Sequence, residues 1–84
     1  MAGPVKRSIT IAGHQTSVSL EPVFWTALER AAAEAGLPLS ALVARIDAER
    51  IAAPRPPNLA SAIRVWLFDL QITRNSVDAA NRSH

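Results

Sequence analysis

Residues 16–20 constrain the fold of this chain more than any other segment, because their polar and apolar side chains alternate strictly. A period of two is typical of a strand with one buried and one exposed face. Val18 and Leu20 are expected on the buried face, with Ser17 and Ser19 on the exposed face. A lone strand leaves its backbone N–H and C=O groups without partners. The segment therefore requires a second strand.

The preceding residues, 6–15, leave two arrangements open. Ile9 and Ile11 have the same parity, which continues the alternation towards the N-terminus. Gly13 permits a positive φ and can form a turn or a bulge. The segment from residue 6 to residue 20 is therefore either two short strands or one long strand with a break.

The composition favours a second copy of the chain as the partner. The chain has 84 residues, of which 49% are hydrophobic. A domain of this size is marginally stable alone, and twofold dimers are the commonest oligomers. We therefore expect a homodimer in which residues 16–20 pair antiparallel with the same segment of the second chain. Gln15 and the two serines would form a polar ribbon, which fits the major groove of DNA.

Three helices are expected after the strand. Pro22 suits the first turn of a helix over residues 22–35, and Gly36 suits its C-terminal end. A second helix runs from about Leu39 to residues 51–53, and Asn58 is a favourable N-cap for the third. The predicted dimer core consists of Val18, Leu20, Phe24, Leu28, Leu42 and Ile46.

The third helix has the clearest amphipathic pattern, with six apolar residues at spacings of three and four. They are Leu59, Ala62, Ile63, Trp66, Leu67 and Leu70. Phe68 lies off this stripe and is interpreted as a contact surface. The predicted organisation is an arm (1–5), a strand and two helices (6–53), a proline-rich connector (54–57), an added helix (58–72) and a disordered tail (73–84).

The sequence predicts binding chemistry and no catalysis. The first 20 residues contain Lys6 and Arg7 and no acidic residue, so the N-terminal part is the expected contact for an anion. The absence of cysteine, with only two histidines and three glycines, argues against a catalytic triad, a metal site or a cofactor loop. His14 is interpreted as a turn residue. No apolar run or signal peptide is evident, which favours a cytoplasmic protein.

Two segments resemble the ribbon-helix-helix family. Residues 16–22 with Phe24, Trp25 and Leu28 resemble the start of that domain, and residues 36–43 resemble its turn and second helix. Residues 6–14 and 58–65 resemble a subgroup of short, mostly alphaproteobacterial members. The resemblance extends over roughly residues 6–70.

The resemblance implies a mainly helical, intertwined homodimer whose N-terminal ribbon contacts bases of double-stranded DNA, with an extra C-terminal helix in each chain. It implies base contacts by Gln15, Ser17 and Ser19, and phosphate contacts by the backbone at Leu39 and Ser40. Lys6 and Arg7 are the further candidates for phosphate contacts. Two positions depart from the family: Gln15 replaces a frequent basic residue, and Pro38 replaces the usual Ser or Thr cap.

The rival hypothesis is a protein-interaction module or an antitoxin-like adaptor. In that interpretation, residues 58–72 bind a protein partner and Phe68 lies at the contact. The proline-rich connector would allow the third helix to serve this purpose. A purely structural dimer without DNA binding is a further alternative.

Overall fold

The computed structural model describes residues 2–82, with side chains described up to residue 75. Two strands precede three helices in the order β1 (Val5–Ile11), β2 (His14–Leu20), α1 (Pro22–Ala35), α2 (Leu39–Ile51) and α3 (Leu59–Arg82). All three helices have contacts with one another, and each also contacts the two-stranded sheet. None of the helices in the described part of the chain is long and apolar enough to cross a membrane.

The N-terminal segment is a hairpin, which decides between the two arrangements that the sequence left open. Strands β1 and β2 pair antiparallel from Val5↔Leu20 at the open end to Ile11↔His14 at the turn. The two turn residues, Ala12 and Gly13, have φ values of 51° and 82°. Positive φ at both central positions is typical of a type I′ turn, whose twist matches that of the flanking strands.

Strand β2 has one strand neighbour within the chain. Strand β1 pairs with one edge of β2, so the expected pairing with the same strand of a second copy concerns the other edge. The argument that a lone strand requires a second chain therefore no longer holds. The homodimer itself stays a prediction.

Helices α1 and α2 follow the predicted bounds because their end signals are local. Pro22 begins α1, and Gly36 ends it with a left-handed φ of 67° and an N–H that donates to the carbonyls of Ala32 and Ala33. Such a glycine satisfies carbonyls that the helix itself leaves unpaired. Pro38 precedes α2 and provides no side-chain cap.

Helix α3 also begins as predicted but ends later. The side chain of Asn58 accepts a hydrogen bond of 2.8 Å from the backbone N–H of Ser61, which confirms its role as N-cap. The helix then continues to Arg82, so the predicted end at residue 72 and the predicted tail from residue 73 are wrong over this range. The final two residues lie outside the described part. The predicted arm is also shorter, because Val5 already belongs to β1.

The core lies between the inner face of the hairpin and the three helices. Five of the six predicted core residues are at most 2% exposed, namely Val18, Leu20, Leu28, Leu42 and Ile46. The exception is Phe24, which is only partly buried, while its neighbour Trp25 is 4% exposed and takes the central position. Ile63 and Leu67 of α3 complete this cluster. The five residues are therefore buried within one chain, and their contact with a second chain stays a prediction.

Candidate nucleic-acid interface

The outer face of the hairpin is a continuous polar surface, here called the ribbon face. Alternate residues of the two strands point away from the helices, because successive side chains of a strand face opposite sides. Cross-strand pairing places Lys6 beside Ser19, Ser8 beside Ser17 and Thr10 beside Gln15. All six side chains are exposed.

The structure brings the three residues that are predicted to contact bases together on one face and places two further polar residues beside them. Gln15, Ser17 and Ser19 follow β2, as expected from their parity. Ser8 and Thr10 lie opposite them on β1, and sequence reasoning did not select them. Their parity with Lys6 was the signal that could have found them, once residues 5–11 were taken as a strand.

The chemistry of the ribbon face suits hydrogen bonding to base edges. Serine and threonine hydroxyls both donate and accept, and the glutamine amide offers both functions side by side. The face contains no apolar and no acidic residue, and its single charged side chain is Lys6. A two-stranded ribbon is narrow enough to enter the major groove, where each base pair shows a distinct pattern of donors and acceptors.

Lys6 and Arg7, both predicted to contact phosphates, have different surroundings. Lys6 lies on the ribbon face and forms no ion pair with any described residue. Arg7 points to the opposite face, where its Nη1 lies 2.7 Å from Oε1 of Glu29. Its guanidinium also lies 4.5 Å from the ring centroid of Trp25. Although residues 1–20 contain no acidic residue, Arg7 is therefore paired with a carboxylate from α1.

Trp25 fixes the first strand against α1. Its indole Nε1–H donates a hydrogen bond of 2.9 Å to the backbone carbonyl of Val5. The Arg7 guanidinium lies over the same ring in a cation–π arrangement. Ile9, at the middle of β1, is 6% exposed. The ribbon face is thus supported by a strand that is attached along its length.

The predicted backbone contacts to phosphate lie on another element, at the start of α2. The N–H groups of Ala41 and Leu42 donate to the carbonyl of Pro38, so the first-turn N–H groups of Leu39 and Ser40 lack an acceptor within the helix. Ser40 is exposed and Leu39 is partly buried. A helix N-terminus with free N–H groups carries a partial positive charge.

The turn end of the hairpin lies beside the end of α2 and the start of α3. A shallow cleft there is lined by residues that include His14, Asp47, Arg50 and Asn58. Arg50 pairs with Asp47 at 2.8 Å and donates to the carbonyl of Pro57 at 3.1 Å. Among the described residues no group of three potential metal ligands occurs.

At the open end of the hairpin, Glu21 connects α1 to α3. Its Oε1 accepts hydrogen bonds from Nε and Nη2 of Arg64 at 3.0 and 2.8 Å. A backbone hydrogen bond within Glu21 and the hydrogen bond from Arg64 lower the pKa of this carboxyl group, and partial desolvation opposes them. The Arg64 guanidinium also lies 5.6 Å from the ring centroid of Phe24, which shows that Phe24 faces α3.

Comparison with known proteins identifies the family. The family model described as "Ribbon-helix-helix domain" matches residues 4–70, which include both strands, α1, α2 and the first half of α3. Comparisons with curated proteins and with solved structures gave no match. The matched segment covers most of the chain, and the order of its elements agrees with the match. The chain therefore belongs to the ribbon-helix-helix family, whose members are generally homodimeric DNA-binding regulators of transcription.

Proposed function

We propose that this chain is a sequence-specific DNA-binding protein, and a cytoplasmic regulator of transcription, that inserts its ribbon face into the major groove. The observation that carries the proposal is the set of six exposed, hydrogen-bonding side chains on one face of a two-stranded ribbon. The family match supports it, since members generally bind DNA. The proposed role is binding, without catalysis.

We assign a contact to each polar side chain of the ribbon face. Gln15 contacts adenine, whose N6 and N7 match a glutamine amide. Ser17 and Ser19 contact base edges, and Ser8 and Thr10 join them from β1. Lys6 contacts a phosphate, because its ammonium is free of carboxylates among the described residues.

Two further phosphate contacts are proposed outside the ribbon face. The N–H groups of Leu39 and Ser40 lie at the positive end of the α2 dipole and suit an anion. Arg7 contributes less than Lys6, because Glu29 already neutralises its guanidinium. The Arg7–Glu29 pair is exposed and therefore weak, so a phosphate could replace the carboxylate, but with a smaller net gain than at the unpaired Lys6.

The test is binding to duplex DNA at two salt concentrations, followed by selection from random sequences. We expect Lys6→Ala to weaken binding to all sequences and to reduce the slope of log K against log salt by about 1. Arg55→Ala, in the exposed connector, is the control with the same loss of charge, and we expect a smaller effect. Ser17→Ala is expected to change the preferred sequence. Equal effects of Lys6→Ala and Arg55→Ala, or no binding at low salt, would contradict the proposal.

A second candidate function concerns α3 as a contact between two copies of the chain. Val65, Phe68 and Ile72 recur at helical spacing on a side of α3 that faces away from the core, and they are 59%, 65% and 47% exposed. Family members generally form homodimers, yet here β1 supplies the strand partner within the chain. The exposed stripe therefore offers a separate surface for the predicted homodimer. In this proposal the occupant is a second copy rather than a toxin or another protein.

A further inference from the structure

We infer that the cavity between the end of α2 and the first half of α3 binds a small organic cation with an apolar body, such as an aralkyl ammonium ion. None of the six ribbon-face residues lines this cavity, so the site is separate from the proposed DNA contact. The ligand class follows from the size of the cavity, its wall and its unpaired charges.

The cavity is small and mainly apolar. Its volume is about 250 Å³, whereas the pockets of drug-sized ligands typically measure about 300–1,000 Å³, so the ligand that fits is a smaller molecule. A largely apolar wall favours the burial of a hydrocarbon group. The apolar residues of the wall are Ile46, Ala53, Pro57, Ala62, Val65 and Trp66.

Two carboxylates line the same cavity from different helices, Glu49 from α2 and Asp69 from α3. Both residues are exposed, and neither forms an ion pair within residues 2–75. Each of the other acidic residues in this range pairs with an arginine. The carboxylates that lack a cation in the described side chains are therefore gathered at one cavity.

Arg50 also lines the cavity, but its guanidinium already has partners. Its Nε lies 2.8 Å from Oδ1 of Asp47, and its Nη1 donates to the carbonyl of Pro57 at 3.1 Å. An anionic ligand would therefore meet two unpaired carboxylates and one guanidinium that is already paired. Charge complementarity selects a cation for this site.

Trp66 gives the cavity an aromatic wall that can contact such a cation. Cations bind favourably over the face of an indole ring. The ring of Trp25 already has the Arg7 guanidinium at 4.5 Å, whereas no lysine or arginine side chain in the described range lies over Trp66. A ligand with its ammonium group near the indole and the carboxylates, and its hydrocarbon part against the apolar wall, matches each of these groups.

The competing occupant is a side chain of a second copy. The exposed stripe of α3 shares only Val65 with the cavity, because Phe68 and Ile72 do not line it. Filling of the cavity by a second copy would make the surroundings of Trp66 depend on the protein concentration. Binding of a small cation would make them depend on the concentration of that cation.

The test is an NMR titration of the isotope-labelled full chain with benzylammonium. The chain has two tryptophans, so two indole N–H signals are expected, and Trp66→Phe identifies the one that belongs to Trp66. We expect benzylammonium to shift the Trp66 signal to saturation and to leave the Trp25 signal in place. Benzyl alcohol and benzoate have the same ring with a neutral and a negative head group. We expect them to bind about tenfold more weakly.

Variants of the lining residues test the charges and the space separately. Glu49→Gln and Asp69→Asn should each raise the Kd for benzylammonium about twofold to fivefold, the usual range for an exposed ion pair. Ala62→Leu fills the cavity and should abolish the saturable shift, while an unchanged Trp25 signal shows that the core is intact. Glu29→Gln, on α1, removes the same charge away from the cavity and is expected to leave the Kd unchanged.

Several outcomes would overturn the inference. The absence of a saturable shift would show that the cavity binds no such cation. Equal binding of the three compounds, or equal effects of Glu49→Gln and Glu29→Gln, would show an apolar cavity without charge selection. A Trp66 signal that moves when the chain alone is concentrated, and that no longer responds to benzylammonium, would show that a second copy fills the cavity. Each of these results leaves the proposed DNA binding intact, because the ribbon face lies outside the cavity.

Discussion

Ala12 has a backbone conformation that alanine rarely adopts. Its φ of 51° at the first central position of the hairpin turn lies in the left-handed region. For an L-residue with a Cβ atom, this region costs about 1–2 kcal/mol relative to the right-handed one. Gly13 adopts a φ of 82° without that cost. The strain in the turn is thus concentrated in one residue.

At this scale we predict that Ala12→Asn stabilises the chain by about 1 kcal/mol, because Asn-Gly is the preferred pair of a type I′ turn. The free energy of unfolding from urea titration measures the effect. Gly13→Ala is the matched variant and should destabilise, since it places a Cβ at a positive φ. A stability of Ala12→Asn below that of the unmodified chain would show that the turn has a different conformation.

Individual contacts are hard to predict from the sequence, because they depend on which way each side chain points in the folded chain. Lys6 and Arg7 are adjacent in the sequence, yet strand alternation places them on opposite faces. Arg7 and Glu29 are 22 positions apart, and no local sequence pattern predicts that they pair. Similarly, Phe24 and Trp25 compete for one buried position. The indole is selected because its N–H reaches the carbonyl of Val5, which only the folded chain brings near.

At the scale of elements, α3 has two different apolar surfaces. One contains Ile63 and Leu67, which are 0% and 9% exposed and complete the core. The other contains Val65, Phe68 and Ile72, which are exposed. The helix therefore stabilises the single chain through one surface and leaves the other available for the proposed contact with a second copy.

We predict that Phe68→Ala abolishes self-association and leaves the fold of the single chain intact. Removing an exposed aromatic side chain deletes apolar contact area between copies and creates no cavity in the core. Sedimentation equilibrium and far-UV circular dichroism measure the two properties separately. Leu67→Ala is the neighbouring control and should destabilise the chain by about 2–5 kcal/mol, because its side chain is buried. An unchanged association constant for Phe68→Ala would contradict the assignment.

The accuracy of the sequence predictions follows from how local each signal is. Pro22, Gly36 and Asn58 act within one helical turn, and the helix ends that depend on them are confirmed. The hairpin stayed undecided because Ala12 lacks the turn preference of asparagine. The predicted end of α3 is wrong because it was placed where the apolar stripe stops, near Leu70. A helix can continue beyond such a stripe with polar residues when no proline or glycine ends it.

At the scale of the whole molecule, ion pairs connect α1 to α3. Glu21 pairs with Arg64 at 2.8 Å, and Glu34 pairs with Arg74 near the other end of α1. The Glu21–Arg64 pair is the less exposed of the two, with both side chains 33% exposed. These ion pairs hold α3, which covers the core, against α1, which follows β2.

We predict that acid weakens this connection. The pKa of Glu21 is lowered in the folded chain, so its contribution to stability is present above the ordinary value of 4.5 and is lost as the pH falls through the lower folded-state pKa. The Glu21→Gln variant lacks this contribution. Chemical denaturation as a function of pH should therefore show a gap between the two proteins at neutral pH that closes on acidification.

The control is Glu49→Gln, which removes the same charge from an exposed position on α2. We expect its stability to follow that of the unmodified chain more closely across the same pH range. A gap for Glu21→Gln that widened as the pH fell would contradict the sign of the linkage.

A hairpin made within one chain forms by a unimolecular reaction, typically in about 1–10 µs for an isolated hairpin. Its assembled fraction is therefore independent of the protein concentration, unlike that of a ribbon built from two chains, whose stability depends on protomer concentration. At low protein concentration each chain would still contain its hairpin. Any property that changes on dilution would then reflect the association of two chains or the occupancy of a bound partner, and not the loss of the hairpin.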